Sequence, residues 1–280
     1  MPWHASLRLH YRRDLDTTRA HSEHVGPLRV LKALYPEGAG ICHHTVLHPP
    51  SGIVGGDTLD LSLVLEENAH AVLTTPGASR FYRCDGDAQA TQNVSAALQA
   101  GARLEWLPQE NIAYSGTRMC NQLCFSLAPG AEMMGCDVLA LGLPASGEAF
   151  VAGSVAQRIE LTGLWLERSR IAASDSLLLH SPLGLAGRAA TATLWWAAGS
   201  TLAAPRVAAA LDCARALLPV GQGAGEAVLA GVTQVHPQVL VFRALAHQTE
   251  PLTHLVRAVH AAWRSSLWGV AGAPPRVWAT

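Results

Sequence analysis

Apolar and polar residues alternate with a period of two from Thr58 to about Leu166. Leu59, Leu61, Leu63 and Leu65 take every second position around Asp60, Ser62 and Val64, and Leu123, Phe125 and Leu127 repeat the pattern. Such alternation predicts half-buried strands. A weak internal repeat overlies it. LEENAHAVL from Leu65, LQAGARLEW from Leu98 and LAPGAEMMG from Leu127 share a Leu, two spacers, a turn residue and an Ala. Units about thirty residues apart leave room for a strand, a turn and a return strand, so stacked β units are expected.

The period changes after Ala203. Between Pro205 and Leu218, Val207, Leu211, Ala214 and Leu218 fall on one helical face, with Pro205 suited to the first turn. A Gly-rich break, VGQGAGEA, leads to AVLAGVTQV and VLVFRALA, two strands joined tightly at His236 and Pro237. Thr249 is placed to cap a last helix, with Pro251 near its start and an apolar stripe of Leu252, Leu255, Val256, Val259 and Trp263. The expected fold is mainly β, with stacked, β-helix- or sandwich-like units over 1–203. A helix-strand-strand-helix portion over 204–280 packs on them as one structural unit.

Composition removes several functional classes. The 280 residues are 49% hydrophobic and 15% charged, enough for a substantial core. A formal net charge of -1 gives no footprint for nucleic acid or an anionic membrane. No run reaches the roughly 18 apolar residues of a membrane span, and the N-terminus lacks a signal-peptide core, so a cytoplasmic protein is expected. The six cysteines follow no disulfide rhythm and form no CxxC pair. There is no GxxxxGK[ST] loop, and Gly221, Gly223 and Gly225 follow a helix rather than the strand that a dinucleotide fingerprint requires.

One loop carries more backbone specification than a turn needs: HPPSGIVGGDTLDL, from His48 to Leu61. Gly55 and Gly56 permit φ > 0 or close backbone approach, which can turn Asp57 inward; the plainer reading is an Asx turn ahead of a strand. In CHHTVLH, Cys42 and His44 share a strand face about 6.6 Å apart, within reach of one metal ion, although a buried thiol with exposed imidazoles is the simpler and favoured reading. Cys120 and Cys124 share a face but stand about 13 Å apart. His254 and His260 diverge by about 240° around a helix. Trp195 and Trp196 point to opposite faces of any strand, one to the core and the other free to meet a partner.

Five blocks, GPLRVLKALYPEG, HPPSGIVGGDTL, LTTPGASRFYR, LEWLPQENI and PPRVWAT, resemble in order and spacing the urease accessory protein D family, UreD, also called UreH. The resemblance runs from about Trp3 to Thr280. It implies a non-enzymatic scaffold that delivers nickel as transient cargo into urease. The partners implied are the urease structural subunits, accessory protein F and accessory protein G, a GTPase. It also implies a mostly β fold with internal water-filled passages.

By the same resemblance, Asp57, Ser79, Asp137 and Glu167 line the nickel passage, with Arg80, Glu105, Glu110 and Arg168 as supporting polar residues. Sparse carboxylates suit a borderline ion that must move on, because a closed set of ligands would trap it. Plainer readings stand beside these roles. Glu167 and Arg168 could be a surface pair, and Glu105 must lie on the opposite strand face from Leu104 and Trp106. The sequence departs from the family pattern at Cys136 and Leu143, where a Trp and an Arg are usual. The rival from another class is a β-rich hydrolase using two carboxylates among Glu105, Glu110 and Asp137. It has no GxSxG or HExxH motif to support other hydrolytic chemistry.

Overall fold

A computed structural model describes residues 2–219, 227–271 and 274–279; Gly221, Gly223 and Gly225 lie outside them. The chain opens with an antiparallel hairpin, β1 (His4–Asp14) and β2 (Thr17–Val25), followed by the short β3 (Arg29–Val30). Ala5, Leu7, Leu9 and Tyr11 point inward from β1, the same period-two pattern seen further along.

Four coils of a solenoid follow. The first holds β4 (Ile41–Leu47), β5 (Gly52–Ile53) and β6 (Thr58–Leu65). The second holds β7 (His70–Thr74), β8 (Ser79–Phe81) and β9 (Ala90–Leu98). The third holds β10 (Arg103–Leu107), β11 (Asn111–Ala113) and β12 (Arg118–Leu127), and the fourth β13 (Glu132–Leu141) and β14 (Ser154–Leu161). Equivalent strands of successive coils pair in parallel, so β6, β9, β12 and β14 lie side by side in one sheet and β4, β7, β10 and β13 in the other.

The weak repeat is the register of this stack. Leu65 pairs with Leu98 and Leu98 with Leu127, while His70, Arg103 and Glu132, each next to the shared Ala, form one column in the second sheet. The return strand of each unit therefore lies in the facing sheet and pairs with its equivalent in the next coil, not with its own predecessor.

The first sheet has seven strands in the order β15-β14-β12-β9-β6-β1-β2, with β15 (Trp165–Ala172) antiparallel at its edge. The second has eleven strands, extended antiparallel from β13 by β16 (Ala190–Ala198), β18 (Val239–Ala246) and β17 (Val228–His236). β17 and β18 form the tight hairpin expected around His236 and Pro237. Because β16 sits between β13 and β18, the second sheet runs without a break across residue 203.

The described residues form three α-helices: α1 (Ser176–His180), α2 (Ala204–Arg215) and α3 (Thr249–Trp268). The expected helix from Pro205 thus ends before Leu218. Thr249 is the first residue of α3 rather than its cap; Gln248 holds the cap position without a side-chain bond.

Two cores result. One fills the space between the sheets, and the other lies between the outer face of the second sheet and α2 and α3. Trp195 belongs to the first and Trp196 to the second, and both are fully buried. The expectation that one would be free for a partner is therefore corrected: helices cover the outer face. Trp195 packs against Gly135, where an added Cβ would sit 2.2 Å from the ring.

Candidate functional site

The sheets place the sequence-selected residues in four surroundings. Asp137, on the inward face of β13, is buried and accepts hydrogen bonds from the side-chain amides of Asn111 and Asn121, each at 3.0 Å, and of Gln157 at 2.5 Å. No cation pairs with it among the described residues. Burial raises its pKa to about 6, partly offset by the amide bonds from Gln157 and Asn111. Asp137 and Glu167 open on the same cavity of about 630 Å³, where Glu167 is paired with Arg243 from β18. The surface pair between Glu167 and Arg168 does not form; adjacent strand residues face opposite ways, and Arg168 is exposed on the other side.

Ser79 and Arg80 line a second cavity of about 340 Å³, with Gln92, Trp106 and a mainly aliphatic wall. The indole Nε1 of Trp106 is buried there without a hydrogen-bond partner among the described residues. A chain of side-chain amides connects the linings of the two cavities. Gln92 donates to Asn121 at 3.2 Å, Asn121 donates to Asp137, and Gln157 meets Asp137 from the next strand. Gln92, Asn121 and Gln157 are register partners on β9, β12 and β14, so strand pairing itself aligns them.

Asp57 is buried, but both of its oxygens serve the backbone. One accepts from the Trp3 amide at 2.8 Å and the other from the Val54 amide at 3.0 Å. Gly56 has φ +93, a conformation that closes this tight turn without Cβ strain. The specification of the HPPSGIVGGDTLDL loop is thus the geometry of a clamp tying the N-terminal strand to the first coil.

Glu105 lies on the strand face opposite Leu104 and Trp106, as its parity requires, yet it is only 1% exposed because α3 covers it. His70 and His260 donate to its two oxygens at 2.7 and 2.8 Å, and Arg264 adds a third contact at 3.1 Å. Arg264 also binds Glu37 at 2.6 Å, and Glu37 accepts from His43 at 2.7 Å. Burial raises the Glu105 pKa, but the bonds from His260 and His70 outweigh it and hold the carboxyl well below the usual range. Beside this network Trp268 stacks edge-on to His70, lies under the Arg103 guanidinium and donates to Glu132, so one indole touches every member of the repeat column.

Glu105 and Asp137 project from opposite faces of the second sheet, into α3 and into the space between the sheets. This geometry forms no acid/base pair between them. Glu110 lines a separate small recess beside Arg257 and receives the Ser79 amide on its backbone carbonyl.

Cys42 and His44 do share the inner face of β4. His44 Nδ1 meets the Tyr11 hydroxyl at 2.8 Å, burial lowers its pKa to about 4, and burial raises the Cys42 thiol to about 11. None of the three imidazoles of CHHTVLH is exposed: His43 and His44 are buried on opposite faces of the strand, and His48 is half-buried. Among the described residues no group of three or more His, Cys, Asp or Glu is arranged to hold a metal ion.

The family profile described as UreD urease accessory protein matches residues 4–279. The chain belongs to the UreD family. It is 52% identical to the urease accessory protein UreD of Leptothrix cholodnii, with 100% of both chains covered. It is 51% identical to that of Verminephrobacter eiseniae and 50% to that of Paracidovorax citrulli, again over 100% of each chain. Membership of the UreD family gives the chain a role in urease maturation, as an accessory protein to that enzyme. No helix among the described residues is long and apolar enough to cross a membrane.

Sequence reading missed the residues that complete these sites. Asn111, Asn121 and Gln157 carry no charge or metal-ligand pattern. His260 and Arg264 were legible in principle, since they continue the stripe of Val256 at four-residue steps and are polar where a core-facing stripe should be apolar.

Proposed function

We propose that this UreD-family chain is the non-enzymatic conduit that passes nickel into the urease apoprotein in the cytoplasm, working with accessory protein F and the GTPase accessory protein G. The observation carrying this reading is Asp137, an internal carboxylate held by neutral amides, with no cationic partner among the described residues, at the wall of a cavity. A divalent ion supplies the countercharge that the site lacks, and amide and carboxylate oxygens bind nickel weakly enough to release it. The amide chain from Gln92 to Gln157 gives the ion successive oxygen contacts between the cavity of Ser79 and that of Asp137 and Glu167. With no nucleotide-binding loop in this sequence, GTP hydrolysis falls to the partner.

The test activates urease in cells with Asp137→Ala or Glu167→Ala in this chain. The expected result is unchanged co-purification with accessory protein F and a fall in the nickel content of urease. Wild-type nickel content in both variants would overturn the conduit reading.

A further inference from the structure

Among the described residues the outer face of the first sheet carries no helix, and at its β14–β15 end it forms a trough of about 490 Å³. Register sets its shape. Arg158 stands directly opposite Arg168, while Arg170 stands opposite Ala156, which in turn pairs with Cys120 on β12. Two small side chains thus make a floor between three guanidiniums.

Like charges placed directly across a strand pair destabilise it. Arg158 is partly relieved by Glu160 at 3.0 Å, but Arg168 and Arg170 have no ion-pair or hydrogen-bond partner among the described residues. Charges on the edge strand β15 would by themselves discourage sheet-to-sheet aggregation. That need does not extend to Arg158, which lies one strand inside the edge.

We propose that this trough docks an acidic segment of a partner protein, with side-chain carboxylates bridging the facing arginines. Guanidinium forks match carboxylates in bidentate geometry, and a concave floor of Ala and Cys lets an extended segment approach them closely. A nucleic acid fits less well. Its phosphates recur beyond the trough, where the same face presents Glu160 and Asp60, and the chain as a whole has net charge -1.

The experiment measures binding of a fluorescent oligoglutamate peptide to the full chain by anisotropy, with inorganic phosphate and oligo-dT as competitors. Arg168→Gln with Arg170→Gln should weaken peptide binding by about tenfold or more, the loss expected for removing charge-assisted contacts. Arg12→Gln, exposed towards the far edge of the same sheet, should leave it unchanged. Ala156→Glu keeps every arginine but fills the floor with a competing carboxylate, and it should also abolish binding. The proposal is overturned if wild type does not bind, if either trough variant binds normally, or if Arg12→Gln weakens binding equally. Displacement by phosphate at equal charge would show a free-anion site instead, and tighter binding of oligo-dT through the same arginines would show a nucleic-acid site.

Discussion

Three buried carboxylates show how surroundings decide what an acid does. Asp57 has given both oxygens to backbone amides, so Asp57→Ala should lower stability by about 1–3 kcal/mol, with any loss of urease activation following from it. Denaturant melts beside an activation assay check this. The sequence alone left Asp57 open between a turn and a passage residue; its bonds to Trp3 and Val54 favour the turn, and no spacing rule could show that a residue more than fifty positions away supplies one of the amides.

Asp137 and Glu105 titrate in opposite senses. The folded pKa of Asp137 is raised from 3.8 to about 6, so the native chain keeps a proton that the unfolded chain has lost. Its contribution to stability is greatest below 3.8 and declines as pH rises towards 6. Relative to wild type, Asp137→Asn should therefore gain on the order of 3 kcal/mol between about pH 4 and pH 7, read from paired melts. For Glu105 the folded pKa is depressed, so its stabilisation is present above 4.5 and is lost as pH falls below it. Glu105→Gln leaves Glu37 as the one carboxylate on Arg264 among the described residues and should cost about 3–5 kcal/mol at neutral pH, with a shallower acid limb than wild type.

Among the elements, strands were more legible than their neighbours. The shared Leu and Ala of three sequence segments are the register of the coils, because parallel stacking puts equivalent residues side by side. The α2 and α3 helices and the β17–β18 hairpin also follow from periodicity. In β1, Ala5, Leu7, Leu9 and Tyr11 alternate cleanly, but that segment and β2 lie outside the repeat that marks the coils. The five-residue α1 is too short for any period to show. Least legible was coverage: parity places Glu105 and Trp196 on the outer face of the second sheet, but only the packing of α2 and α3 makes that face interior. Gly135→Ala tests the inner face, where the new Cβ would collide with Trp195; a stability loss of about 1–3 kcal/mol is expected in denaturant titration.

For the molecule as a whole, the hairpin at one end and the β16–β18 extension at the other bracket the stack. Removing residues 1–26 would strip β1 from β6, expose the edge of the solenoid and leave Asp57 without the Trp3 amide. Such a truncation should elute as aggregate in gel filtration, whereas the full chain should not.

The amide chain inside the stack also acts as a ruler. Gln92, Asn121 and Gln157 occupy matching positions on adjacent strands, so each step between them is one strand spacing of about 4.8 Å, whatever the loops at the corners do. Residues inserted at a corner bulge outward and leave that distance untouched. Its length can change only by gaining or losing a whole coil, which makes the interior reach of this protein a counted quantity rather than an adjustable one.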